Sequence, residues 1–108
     1  MGKFETYKDS SGQHRFRLKA ANGQNILASE AYTSKAGCLN GIESVRENSQ
    51  IDSRYDRKKS SNGKHYFNLK ASNGQVIGTS EIYEGSSGVE TGIKSVMNNA
   101  PKAPVVEA

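Results

Sequence analysis

Shifted by 51 positions, the sequence lies on itself without a gap. Phe16-Arg17-Leu18-Lys19-Ala20 meets Phe67-Asn68-Leu69-Lys70-Ala71, Asn22-Gly23-Gln24 meets Asn73-Gly74-Gln75, and Gly41-Ile42 with Ser44-Val45 meets Gly92-Ile93 with Ser95-Val96. Between Phe4–Asn48 and Tyr55–Asn99, 21 of 45 positions are identical. Such a match means two consecutive copies of one structural unit. A unit of about 50 residues buries too little surface to be comfortably stable alone, so the copies are expected to share a core.

Each copy carries the same pattern. Phe4–Lys8 reads as a strand and Asp9-Ser10-Ser11-Gly12 as a turn. In His14–Ala21, Phe16, Leu18 and Ala20 alternate with Arg15, Arg17 and Lys19, the period of a half-buried strand. Asn22-Gly23 signals a hairpin and is expected to form a type I′ turn, with both residues at positive φ. Asn25–Ser29 follows as a third strand. The period then lengthens: Cys38, Gly41, Ile42 and Val45, like Val89, Gly92, Ile93 and Val96, fall on one helical face. Ser34 and Ser87 are the expected N-caps, with Ser87-Gly88-Val89-Glu90 in capping-box spacing. Gly41 and Gly92 cost about 1 kcal/mol each against Ala, which points to close approach of helix and sheet. Pro101 ends the second helix.

Tyr55–Lys59 both leaves the first copy and opens the second; the matching exit from the second is Lys102–Glu107. The expected architecture is α+β: two βββα units with exit strands, joined in one antiparallel sheet with both helices on one face. It forms a single domain, residues 1–108, of two internal repeats (about 3–51 and 54–102) and a short C-terminal tail. The two copies make a covalent pseudo-dimer with an approximate twofold axis, expected to be a monomer as an intact chain. Phe16, Leu18, Phe67, Leu69, Ile42, Val45, Ile93 and Val96 are its expected core.

The motifs Phe-Glu-x-Tyr-Lys-Asp (Phe4–Asp9), Phe-Arg-Leu-Lys-Ala-x-Asn-Gly (Phe16–Gly23), Ser-Glu-x-Tyr (Ser29–Tyr32) and Gly-Ile-x-Ser-Val (Gly41–Val45) together resemble the YegP-like family of small uncharacterised proteins. The resemblance runs from about Lys3 to Asn99. It implies tandem βββαβ units in a single sheet with exchanged C-terminal strands, and it brings no established activity. The second copy departs from the opening motif with Tyr55-Asp56-Arg57-Lys58-Lys59-Ser60.

Composition narrows the function. No apolar run approaches the ~18 residues of a transmembrane helix, and Met1–Glu5 leads straight into polar sequence, unlike a signal peptide; a soluble, cytoplasmic protein is expected, with no membrane partner. The one cysteine, Cys38, excludes an internal disulfide and any cysteine zinc cluster. Its repeat counterpart is Val89, the mark of a small packed hydrophobe. His14 and His65 are equivalent and could be read as a symmetric acid–base or metal pair, yet no other group converges on them, and they read as polar residues at strand ends. Glu30 and Glu81 read as turn or cap residues rather than bases. Ser86-Ser87-Gly88 could present backbone N–H groups to an anion, and reads as an ordinary cap. With no nucleophile–base–orienter set, the chain is expected not to be an enzyme and to need no cofactor or metal.

The charge is the best clue: 15 Lys+Arg against 11 Asp+Glu, net +4. Arg15, Arg17 and Lys19 lie on the polar side of one strand and Tyr66, Asn68 and Lys70 on its counterpart, while Arg54, Arg57, Lys58 and Lys59 cluster where the copies join. A binding module with weak affinity for an anionic partner such as nucleic acid is therefore expected, through Arg15, Arg17, Lys19, Arg54, Arg57, Lys58, Lys59, Tyr66 and Lys70. The alternative is a module for protein or small-ligand interaction, or a structural one, with no nucleic-acid role.

Overall fold

The computed structural model describes residues 2–108; Met1 lies outside them. The elements run β1 (Lys3–Lys8), β2 (His14–Lys19), β3 (Asn25–Ser29), α1 (Lys35–Asn48), a 3₁₀ turn (Asp52–Arg54), β4 (Tyr55–Lys59), β5 (His65–Lys70), β6 (Val76–Thr79), α2 (Ser86–Asn99) and β7 (Val105–Glu107). All seven strands form one sheet in the order β4-β5-β6-β3-β2-β1-β7. The repeats meet at the antiparallel β3–β6 pair, Ala28 opposite Thr79, and the pseudo-twofold axis passes between these strands.

Both helices cover the same face. α1 rests on β2 and reaches β5 and β6; α2 rests on β5 and reaches β3. Each helix therefore crosses onto the other repeat, and one core results. All eight expected core residues are buried in it. Phe4, Leu27 and Tyr55 join them.

The sheet departs from the antiparallel expectation at one edge. β7 pairs parallel with β1, Phe4 opposite Val105 and Thr6 opposite Glu107. The exit strand of the second repeat thus lies on the first strand of the first repeat, and the sheet is mixed. The physical reason is the crossover: α2 carries the chain across the sheet to the far edge, where it enters in the direction of β1.

Four tight turns share one geometry, and it is not type I′. Only Gly12, Gly23, Gly63 and Gly74 have positive φ, and no other described residue does. In each, the glycine N–H donates to the carbonyl three residues back, as Gly23 does to Ala20, and Ala20 N–H donates to Gln24 across the loop. This is the three-residue hairpin, a type I turn closed by a left-handed glycine. Asn22 stays out of the left-handed region because its side chain already serves the turn, accepting from Gln24 N–H at 3.0 Å.

The helix starts also differ from one another. Ser34 caps α1, accepting from Gly37 N–H at 3.0 Å. The expected cap of α2 at Ser87 is corrected: the N-cap is Gly85, the repeat equivalent of Ser34, it makes no side-chain cap bond, and Ser87 lies inside the helix. Glu90 is thereby free of capping duty and points to β4.

Ser-Glu-x-Tyr proves to be a structural clasp. Ser29 Oγ accepts from Phe16 N–H at 2.9 Å and donates to Glu30 O at 2.7 Å; Ser80 does the same with Phe67 and Glu81. Tyr32 and Tyr83 bridge to the backbones of His14 and His65. Their rings then lie under the helices. A Cβ at Gly41 would stand 2.7 Å from Tyr32 Cζ and 3.1 Å from Phe16, and one at Gly92 2.9 Å from Tyr83 Cζ. The helical glycines thus make room for a tyrosine inserted between helix and sheet, more than for the sheet itself.

Candidate nucleic-acid interface

The face of the sheet away from the helices is uncovered. One registered row crosses it from edge to edge: Asp56, Asn68, Thr79, Ala28, Arg17, Glu5 and Val106. Alternation along each strand fixes what it displays. Lys3, Glu5 and Tyr7 of β1 face out beside Lys19, Arg17 and Arg15 of β2. In the second repeat Asp56 and Lys58 of β4 face out beside Asn68 and Tyr66 of β5, with Lys70 further along. Small residues, Ala28 and Thr79, mark the centre.

The cations on this face are answered by carboxylates at equivalent places. Glu5 lies 3.2 Å from Lys19, 3.7 Å from Arg17 and 3.8 Å from Lys3. Its counterpart Asp56 lies 3.0 Å from Lys70 and 3.4 Å from Lys58. Asp9 accepts from Arg15 Nε at 2.8 Å. The hydrogen bond from Arg15 holds the Asp9 carboxyl below its usual range, and that from Lys70 does the same for Asp56. The Arg17 guanidinium stacks over Tyr7, 4.1 Å from the ring centre, a cation–π contact.

The expected site residues divide between two surfaces. Arg15, Arg17, Lys19, Lys58, Tyr66 and Lys70 share the open face. Arg57 and Lys59 turn to the helix side, where they line a cleft with His65 and Glu90. Arg57 donates to Glu90 and to Asp52. Arg54 sits in the 3₁₀ turn and donates to Asn48 Oδ1 at 2.8 Å. The basic cluster at the join is therefore not one patch, because period two sends neighbours 57 and 58 to opposite faces and the 3₁₀ turn redirects 54. Sequence reasoning missed Lys3, Tyr7 and the three neutralising carboxylates. The hairpin register carried the signal: a three-residue loop closed by Gly12 sets Glu5 opposite Arg17.

The remaining chemistry-bearing groups are scattered. No three His, Cys, Asp or Glu stand together as metal ligands among the described residues. Cys38 shares a cleft with His14, but it is 1% exposed and burial pushes its thiol up, away from the nucleophilic thiolate. Glu30 and Glu81 have exposed side chains. Among the described residues no helix is long and apolar enough to cross a membrane.

A single sheet built from two copies of a strand–strand–strand–helix unit, with both helices on one face and an uncovered charged face opposite, defines a small tandem-repeat α+β protein. The family model described as a domain of unknown function, DUF1508, matches twice, over residues 9–56 and 60–107. The chain belongs to that family, the YegP-like UPF0339 proteins. It is 58% identical over 106 residues to the UPF0339 protein in the ptx operon 5′ region of Stutzerimonas stutzeri, covering 98% of this chain and 96% of that one. It is 53% identical over 104 residues to UPF0339 protein YegP of Escherichia coli K12, covering 96% and 94%. The solution NMR structure of the Escherichia coli yegP protein, of unknown function, superposes with a TM-score of 0.94 at 52% identity, over 98% of this chain and 91% of that one. That of the Shewanella oneidensis UPF0339 protein gives 0.92 at 49%, over 98% and 90%. None of these relatives carries the name of an activity.

Proposed function

We propose that the chain is a small non-catalytic binding module that receives an anionic partner on the open face of the sheet, with single-stranded nucleic acid the partner class. One observation supports this reading: Lys3, Arg15, Arg17, Lys19, Lys58 and Lys70 gather on one uncovered face, with Tyr7 and Tyr66 among them, against Glu5, Asp9 and Asp56. The carboxylates are largely shielded, Glu5 13% and Asp9 19% exposed, while the cations they answer are 23–47% exposed and stay open to a phosphate. The excess of cations is small, and affinity is accordingly weak, indifferent to sequence and steeply dependent on salt.

Fluorescence anisotropy with labelled oligo-dT and oligo-U, at low and at physiological salt, tests it. Arg15→Gln with Arg17→Gln should lower affinity for both and flatten the salt slope. Glu5→Gln should act in the opposite sense, because it releases Lys3, Arg17 and Lys19 from their shared carboxylate. Absence of binding at low salt overturns the proposal. The second reading, a module for protein or small-ligand interaction without a nucleic-acid role, would then lead. It draws on the same carboxylates: Glu5 and Asp56 stand at one place in both repeats and offset part of the charge of the face from within.

A further inference from the structure

On the helix side, two clefts occupy equivalent places in the repeats, each between the end of a strand pair and the start of a helix. The first encloses about 390 Å³ among Thr6, Lys8, His14, Lys35 and the end of β7. The second encloses about 200 Å³ among Arg57, Lys59, His65, Ser86 and Glu90. In both, a cation meets a carboxylate of the chain itself. In the second the carboxylate is Glu90 of α2, held by Arg57. In the first it comes from outside the repeat: Glu107 of β7 pairs with Lys35 of α1.

The segment that brings Glu107 there is held like a bound peptide. Its backbone completes the β1 edge, with Phe4 N–H donating to Pro104 O and Ala108 N–H to Thr6 O, each at 2.8 Å. The two ends of α1 clamp it: Arg46 Nη2 donates to Ala103 O at 2.6 Å, and Lys35 meets Glu107. It gives the core little, since Ala103 is buried but Val105 is 40% exposed and Glu107 is exposed. Pro101 and Pro104 bracket the connection to α2. Beyond the paired Phe4–Thr6, β1 carries Lys8 to the rim of the first cleft, where His14 and Lys35 also stand.

We infer that the outer edge of β1, with Arg46 and Lys35 at its two ends, is a docking site for an extended segment of a partner protein, apolar and then acidic, which displaces β7 as the resident occupant. The mode is strand addition, in which backbone bonds give affinity and side-chain pockets give specificity. A tethered occupant competes at an effective concentration of order mM. An incoming segment gains over it by placing further carboxylates near Lys8, His14 and Lys35. This surface is separate from the open sheet face, so nucleic-acid binding or its absence does not bear on it.

The test uses the full chain and a labelled synthetic peptide, Ala-Pro-Val-Val-Glu-Ala-Glu-Glu. Val106→Pro with Glu107→Lys removes a ladder donor and the ion pair of β7. The double variant should bind the peptide about tenfold or more tightly than the parent chain, which its own tethered strand protects. Lys35→Glu in that background should abolish the gain, and a peptide with Lys in place of each Glu should restore it. Amide exchange at Phe4 and Thr6 reports whether the edge has opened. Amides that stay as protected as in the parent chain would show that β7 is a fixed part of the fold, and overturn the inference. An opened edge that binds neither peptide, or binds both alike, would overturn it equally.

Discussion

The two repeats carry the same strands, clasp and inserted tyrosine, yet close their outer edges in opposite ways. β1 is covered by β7, a strand delivered from the other repeat. β4 has no such cover and is itself an edge of the sheet, and its Arg57, Lys58 and Lys59 are exposed, the charge-blunted form of an edge strand. The substitutions between copies are matched to this. Lys35 and Arg46, which hold β7, become Ser86 and Met97; Thr6 and Leu39 become Arg57 and Glu90, which bond each other. A duplicated unit has two equivalent edges and β7 covers one of them, so the other satisfies itself with side chains.

At the axis the copies differ for a steric reason. Leu27 and Gly78 are equivalent, and a Cβ on Gly78 would stand 2.7 Å from Leu27 Cδ2. Two large side chains cannot both occupy the space where a twofold brings equivalent positions together. Leu27→Ala should therefore cost about 2–5 kcal/mol, and Gly78→Ala about 1–3 kcal/mol by overpacking, both read by urea denaturation. Leu27→Gly combined with Gly78→Leu should recover much of the loss. The same geometry bears on the fragment Met1–Lys59, which holds one whole unit with its exit strand and is expected to pair with itself into a twofold dimer. Self-pairing sets Leu27 against Leu27, so sedimentation should show the fragment pairing better with a Leu27→Gly copy than with its own kind.

The helical glycines should behave alike in both repeats. Gly41→Ala and Gly92→Ala should each destabilise by about 1–3 kcal/mol, against the intrinsic helix preference for Ala. Tyr32→Phe should relieve part of the first loss, because the hydroxyl is the atom nearest the added methyl, and Tyr83→Phe part of the second. Gly41→Ala cured fully by Tyr83→Phe would break the equivalence.

At the edges the repeats should part. Arg46→Met makes α1 resemble α2 and removes the bond to Ala103 O. It should cost about 1 kcal/mol and raise amide exchange at Phe4 and Thr6, with no change at Tyr55 or Arg57. The smallest effect belongs to Glu90. The hydrogen bond from Arg57 holds its carboxyl below the ordinary value of 4.5. The unfolded chain then takes up a proton first, so the stabilisation is complete above about pH 4.5 and is lost as pH falls through the lower folded value. The groups are exposed and the pair is worth a few tenths of a kcal/mol. Glu90→Gln should remove that slice of the acid dependence in denaturation followed from pH 6 to pH 3.

Much of the fold was legible because the repeat supplied each signal twice. Phe16, Leu18, Phe67 and Leu69 declared the buried strand face, and Ile42, Val45, Ile93 and Val96 the helix face. The cap of α2 was misread where the repeat itself held the answer: position 34 maps to Gly85, and capping-box spacing at Ser87 was a local coincidence. The candidate site was legible as composition and not as arrangement. Arg15, Arg17 and Lys19 were placed on one side of their strand by period two, but Glu5 meets Arg17 and Lys19 only once the turn geometry has set the register. Arg54 left the patch because a 3₁₀ turn redirects it, and Arg57 and Lys59 because strand alternation turns them to the helix side.

The sequence by itself determined the unit: strand, strand, strand and helix, twice, with turns placed at glycines and with an apolar stripe of changing period. These are consequences of local geometry, which a few neighbouring residues decide. Only the tertiary structure decided that β7 lies parallel on β1, that Leu27 fills the space of its own symmetry mate, and that each cation of the open face finds a particular carboxylate. Such outcomes depend on which residues distant in the chain compete for one place. That competition is settled by packing around an axis that no single copy of the repeat contains.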